Sequence, residues 1–233
     1  MNIASVLTVR RRKRRRRILT LTFLITGLLS LTAGVVTYYG FNAGSFVMQV
    51  DANAQRRGII LSDTKDFANA KPRLTSKAVT DVKDITFGWI KLGEVENTEG
   101  EYVDKDYKYA AHTFFMKNVG TEAVDVTYKL EILNEFNDII KGIRILLIID
   151  GERTLYQLED EKFTFYEDLE LRNAVNFESN EIVVQNIIQE FKPNEVIKIT
   201  YVMWLEGEDP DTTDRVLGGK IKLQLNFSIN MEG

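Results

Sequence analysis

The chain has 233 residues, 30 of them basic and 34 acidic, for a formal charge of −4, and it contains no cysteine. Without cysteine it can form no disulfide, no thiolate metal site and no cysteine nucleophile. Every acid lies beyond residue 50, so residues 51–233 carry 22 basic against 34 acidic side chains, a formal −12 that repels phosphate backbones and excludes a nucleic-acid-binding body.

Eight consecutive cations come first: Arg10, Arg11, Arg12, Lys13, Arg14, Arg15, Arg16 and Arg17. They run directly into Ile18–Tyr39, 22 residues without a charge. A helix of that length spans about 33 Å, enough for a hydrocarbon core of ~30 Å. Its Ser and Thr hydroxyls can bond back to helix carbonyls, and its two glycines are tolerated in membrane helices. Tyr38, Tyr39 and Phe41 suit an interfacial aromatic belt at the far end. The cations hold the near end in the cytoplasm and are drawn to anionic lipid. The sequence thus predicts a basic cytoplasmic tail over 1–17, a transmembrane helix or export signal over 18–41, and an extracytoplasmic remainder. The apolar stretch exceeds the roughly 7–15 residues usual in a cleaved signal. Leu31-Thr32-Ala33 and Phe41-Asn42-Ala43 place alanine at −1 but a bulky residue at −3. A retained single-pass anchor is therefore expected ahead of secretion after cleavage.

Residues 42–84 read as a membrane-proximal strand and linker. Phe46–Val50 and Gly58–Leu61 are short apolar runs, a first strand pair or a stalk, and Ser62–Asp84 is polar loop. From residue 85 to 233 the period is two. Val124, Val126, Tyr128, Leu130 and Ile132 alternate with polar residues, as do Ile197, Ile199, Tyr201, Met203 and Leu205, and Ile221, Leu223, Leu225, Phe227 and Ile229. Ile143–Ile149 is apolar on both faces and is predicted as a central strand. The fold class is all-β, an antiparallel β-sandwich behind one N-terminal transmembrane helix. Glu159–Glu170, with six acids and three aromatics, breaks the rhythm as an inserted hairpin or loop. Asn180–Phe191 suits a strand or a short helix.

His112 is the sole histidine and sits in an apparent strand, where a structural role is expected. No G-x-S-x-G, H-E-x-x-H or phosphate-cradling glycine motif occurs, so no catalytic residue and no organic cofactor is assigned. Trp204–Asp214 packs Glu206, Glu208, Asp209, Asp211 and Asp214 into nine residues. Calcium takes roughly six to eight oxygens, so these carboxylates are the candidate metal ligands, although the spacing is not that of an EF-hand. The alternative is a solvated strand-end loop shaped by Gly207 and Pro210.

Three pieces carry a family resemblance: YAAHTFFMKNVGTEAVDVTYKLEI, IKGIRILLIIDGE and FKPNEVIKITYVMWLEGEDPD. Across about Tyr109–Asp211 the chain resembles the TasA/camelysin-like exported proteins of Firmicutes, most specifically in W-L-E-G-E-D-P-D. The resemblance implies an exported jelly-roll-like sandwich that sometimes assembles into matrix fibres. Camelysin's metallopeptidase class does not carry over to a chain with one histidine. The expected function is a membrane-tethered structural or interaction protein of the cell envelope. Its expected partners are membrane lipid and envelope proteins or copies of itself. The alternatives are a cation- or glycan-binding module using residues 206–214 and, last, an envelope hydrolase.

Overall fold

The structure, a computed structural model, describes residues 18–32, 46–159 and 169–229. After Ala43 the chain divides into an N-terminal unit and a body beginning at Gly44. In the N-terminal unit residues 18–32 form helix α1. Its large apolar side chains are exposed, from Ile25 at 53% to Phe23 at 76%. The hydroxyls of Thr22 and Thr26 donate to the carbonyls of Ile18 and Thr22 at 2.9 and 2.7 Å. The span expected over 18–41 is described only as far as residue 32. Among the described residues no helix is long and apolar enough to cross a membrane. The Arg10–Arg17 run and residues 160–168 of the acidic aromatic segment lie outside the described residues.

The body is mostly β. β1 (Phe46–Val50), β2 (Ile59–Ser62), β3 (Arg73–Ser76), β4 (Gly100–Tyr102), β5 (Ala110–Asn118) and β6 (Val124–Phe136) form its first half. β7 (Ile143–Ile149), β8 (Glu152–Gln157), β9 (Val175–Asn176), β10 (Ile182–Phe191), β11 (Val196–Leu205) and β12 (Lys220–Ser228) form the second. One sheet has the order β10-β6-β12-β1-β3; the other has β2-β5-β11-β7-β8-β9, with β4 also on β5. Three short helices accompany them: α2 (Ala52–Arg56), α3 (Leu92–Asn97) and α4 (Leu169–Arg172).

The sheets meet through the alternating residues that the sequence marked. Val126, Tyr128, Leu130, Leu223, Leu225 and Phe227 of the first sheet share one core with Phe114, Ile145, Leu147, Ile199 and Tyr201 of the second. Phe46 stacks on Tyr201 with ring centroids 3.7 Å apart, and Phe114 meets Phe227 edge-on at 6.2 Å. The outer face of the second sheet is buried as well. Ile85, Ile90, Val95 and Tyr109 from the segment before β5, and Leu171 from α4, cover Leu146, Ile148, Leu155, Val202 and Trp204. That double burial is why Ile143–Ile149 is apolar on both faces, and β7 is central, between β11 and β8.

Three expectations change. Residues 42–84 are more than strand and linker, because β1 and β3 lie in the first sheet and β2 in the second. β1 and β2 therefore do not pair with each other. β3 escaped notice because only Leu74 and Ser76 of its four residues turn inward, at 4% and 3% exposure. Asn180–Phe191 resolves into β10, a strand on the sheet edge. The pairing is not wholly antiparallel: β1 runs parallel to β12, and β9 to β8. β1 and β12 come from opposite ends of the body's sequence, so no hairpin dictates their relative direction.

Candidate functional site

The acidic loop starts where β11 ends, and two of its five acids turn inward. Glu206 is fully buried; Trp204 Nε1 donates to its Oε2 at 2.8 Å and Glu208 N to its Oε1 at 3.1 Å. Burial pushes this carboxyl above its ordinary range, against the hydrogen bonds from Trp204 and Glu208 and the charge of Arg144. Its backbone is held from both sides, with Glu206 N donating to Gly142 O at 2.8 Å and Gly207 N to Ile85 O at 3.0 Å.

Asp209 is 2% exposed and accepts from Arg144 Nη2 at 2.6 Å, with both side chains wholly buried. Arg144 stands opposite Trp204 in the β7–β11 ladder and also donates to Ile143 O at 3.2 Å. Asp211 N donates to Asp209 Oδ1 at 2.7 Å, and Thr212 Oγ1 to Glu206 O at 2.7 Å, so the loop closes on itself. Gly142 is required beneath it, since a Cβ there would stand 2.3 Å from Thr212 Oγ1.

The candidate calcium ligands therefore do not point to one place. Glu206 and Asp209 face protein donors, Asp211 is half-buried, and Glu208 and Asp214 are exposed. Among the described residues no three His, Asp or Glu side chains come together as a group able to hold a metal ion. The solvated-loop alternative describes only part of the segment: Glu208, Pro210 and Asp214 are exposed, whereas Glu206 and Asp209 are held by Trp204 and Arg144 on the outer face of the second sheet. Beside it Asp138, Lys141, Asp211, Thr213, Asp214, Arg215 and Val216 line a shallow open groove of about 460 Å³.

A second polar centre was not foreseen. Asp104, its side chain fully buried, accepts from Asp106 N at 2.7 Å, Tyr107 N at 3.1 Å, Tyr109 OH at 3.2 Å and Tyr102 OH at 3.3 Å. Lys91 Nζ lies 3.4 Å from Asp104 and 2.7 Å from Asp106. Burial alone would raise the Asp104 carboxyl, but the converging donors together hold it below its ordinary value. Tyr102 and Tyr109 are pushed upward, first by burial and then by neighbouring acids, Glu94 and Asp104 for Tyr102 and Asp104 for Tyr109. The cluster fastens the covering segment onto the sheet. Nearby Trp89, 51% exposed, stacks on Tyr107 with centroids 5.2 Å apart.

His112 lies inward on β5 at 3% exposure, its Nε2 2.7 Å from Asp63 Oδ1. Asp63 directly follows β2, so the pair ties that strand's end to β5. The hydrogen bond from His112 is the main cause that holds the Asp63 carboxyl below its ordinary value.

No protein-family model matches the chain, and no curated protein sequence matches it. Among solved structures, a beta-glucosidase from Kluyveromyces marxianus in complex with glucose aligns at 13% identity and a TM-score of 0.26, over 82% of this chain and 18% of that one. The selenomethionine-labelled form of the enzyme aligns at 13% identity and a TM-score of 0.24, over 75% and 17%. The chain thus spans less than a fifth of those proteins, and likenesses this slight carry neither fold nor activity.

Proposed function

We propose that the chain is a membrane-tethered, extracytoplasmic structural or interaction protein of the bacterial cell envelope. Its body is read as a jelly-roll-like sandwich of the TasA/camelysin type, and its partners as lipid and envelope proteins or further copies of the chain. One observation carries this reading. A helix whose apolar side chains are exposed on every side follows eight consecutive cations and precedes a body with a formal −12. Exposed apolar side chains of this kind favour hydrocarbon around them, and a flanking run of cations favours the cytoplasmic side for the near end. The non-catalytic reading has its own support. The buried polar groups Arg144, Asp209, Glu206 and Asp104 each hold a loop to the sheets.

Protease added to intact cells producing the chain tests this topology. The body is expected to be degraded from outside, and neutral replacements of Arg14–Arg17 are expected to reduce that cleavage by weakening or inverting orientation. A body that stays protected until the membrane is breached overturns the reading.

A further inference from the structure

The end of the body at which β1 begins displays apolar side chains. β1 runs parallel to β12 and starts at the level of Leu223, three residues into that strand. Phe46, the first described residue of the body, therefore lies toward the end where β12 begins. β6 finishes at the same end, with Phe136 opposite Lys220. There Phe136 is 57% and Leu217 69% exposed. Asn137 Nδ2 donates to Leu217 O at 2.9 Å, which holds the two tips beside each other. Gly219 seats the second tip firmly, since a Cβ on it would stand 2.7 Å from Ile139 Cβ.

Charge at this end differs from that of the body as a whole. Acids at 135, 138, 208, 211 and 214 nearly cancel bases at 141, 215, 220 and 222, whereas residues 51–233 together carry a formal −12. Those nine positions sum to a formal −1, so an anionic bilayer would repel them only weakly. Chain length adds a bound. Six residues separate Tyr39 from Phe46, and six residues reach no further than about 20 Å.

We propose that this end of the body, with Phe136 and Leu217 at its tip, docks into the interfacial layer of the bilayer. The inference rests on the reading of residues 18–39 as a membrane anchor.

The absence of cysteine permits a single-label test in the full chain. An environment-sensitive dye is attached through Glu208→Cys, exposed in the β11–β12 connection that carries Leu217, or through Lys192→Cys at the opposite end, and melting curves confirm that each variant folds. The chain is reconstituted into phosphatidylcholine vesicles, with and without phosphatidylglycerol, that carry a quencher near the headgroups. Docking predicts quenching at 208 several-fold stronger than at 192 in both lipids. It also predicts that Phe136→Ser with Leu217→Ser removes the difference while the protein still floats with the vesicles. Flotation with equal quenching at the two positions overturns the docking and leaves the anchor standing. The same holds if the difference survives the paired serines or occurs only with phosphatidylglycerol. Failure to float overturns the anchor reading and the docking with it.

Discussion

The two sheets bury apolar surface in different ways. In the first sheet β12 turns Leu223, Leu225 and Phe227 into the core and leaves Lys222, Gln224, Asn226 and Ser228 half-buried on the other face. In the second, β7 sends Ile145 and Leu147 to the shared core and Leu146 and Ile148 to a second core beneath the covering segment. A one-sided sheet tolerates any polar side chain on alternate positions. A two-sided sheet has no such freedom, and each polar group placed in it must bring its own partner. Arg144, on the covered face of β7, brings Asp209.

The largest expected effect tests that difference directly. Leu225→Asp in β12 strands a carboxylate in the core, at a cost of several kcal/mol against a total stability of about 5–15 kcal/mol. Gln224→Asp, one residue away, is expected within roughly 0.5 kcal/mol of wild type. In β7 adjacent positions should not differ: Leu146→Asp and Leu147→Asp both place charge where exposure is 0% and 2%. Urea midpoints that separate the β12 pair but not the β7 pair support two-sided burial. A mild effect of Leu146→Asp would mean that the covering segment does not seal the outer face.

The same contrast decides what the sequence disclosed. In the first sheet β6 and β12 were legible because one wet face imposes period two, whereas β3 was missed and β10 stayed between strand and helix; in the second, β7 was legible as central because both faces are apolar. The covering segment was not legible. Ile85, Ile90 and Val95 belong to short turns and a six-residue helix, too brief for a helical period to emerge. Arg144 did leave a signal, as the lone charge inside Ile143–Ile149, but its choice of Asp209 among five nearby acids depends on how the loop folds back. Asp104 looked like any acid in a charged stretch. Its burial follows from Tyr102 and Tyr109 being drawn under the cover, a tertiary event with no local pattern.

A smaller but still large effect is expected at the buried pair. Arg144→Leu leaves Asp209 charged and unpaired, and breaking such a pair costs about 3–5 kcal/mol. Combining it with Asp209→Leu should restore part of the loss, since an apolar pair of similar volume often matches a buried ion pair. Recovery should be incomplete because Asp209 also accepts from Asp211 N. Measured midpoints for both single variants and the double give the coupling. Strict additivity would show that the two side chains do not depend on each other, and that the acidic loop is held by Glu206 alone.

The smallest effect concerns the cover. Asp104→Asn keeps shape but turns an amide NH2 toward groups that already donate, so about 1–3 kcal/mol should be lost at neutral pH. The pH dependence separates this from simple packing. The folded-state pKa of Asp104 lies below its ordinary 3.8. Its contribution is therefore fully present above the unfolded value and is lost as pH falls through the folded one. Asp63 acts in the same direction through His112. Glu206 acts oppositely, because its raised pKa stabilises the fold below the unfolded value and that stability fades as pH rises through the folded one. Asp104→Asn removes only the first of these three. The deficit of that variant against wild type should be greatest near neutrality and shrink as pH drops below about 4. A deficit that stays constant down to acid unfolding would mean that the Asp104 charge does not fasten the cover, leaving packing by Ile85, Ile90 and Tyr109 to hold the outer face closed.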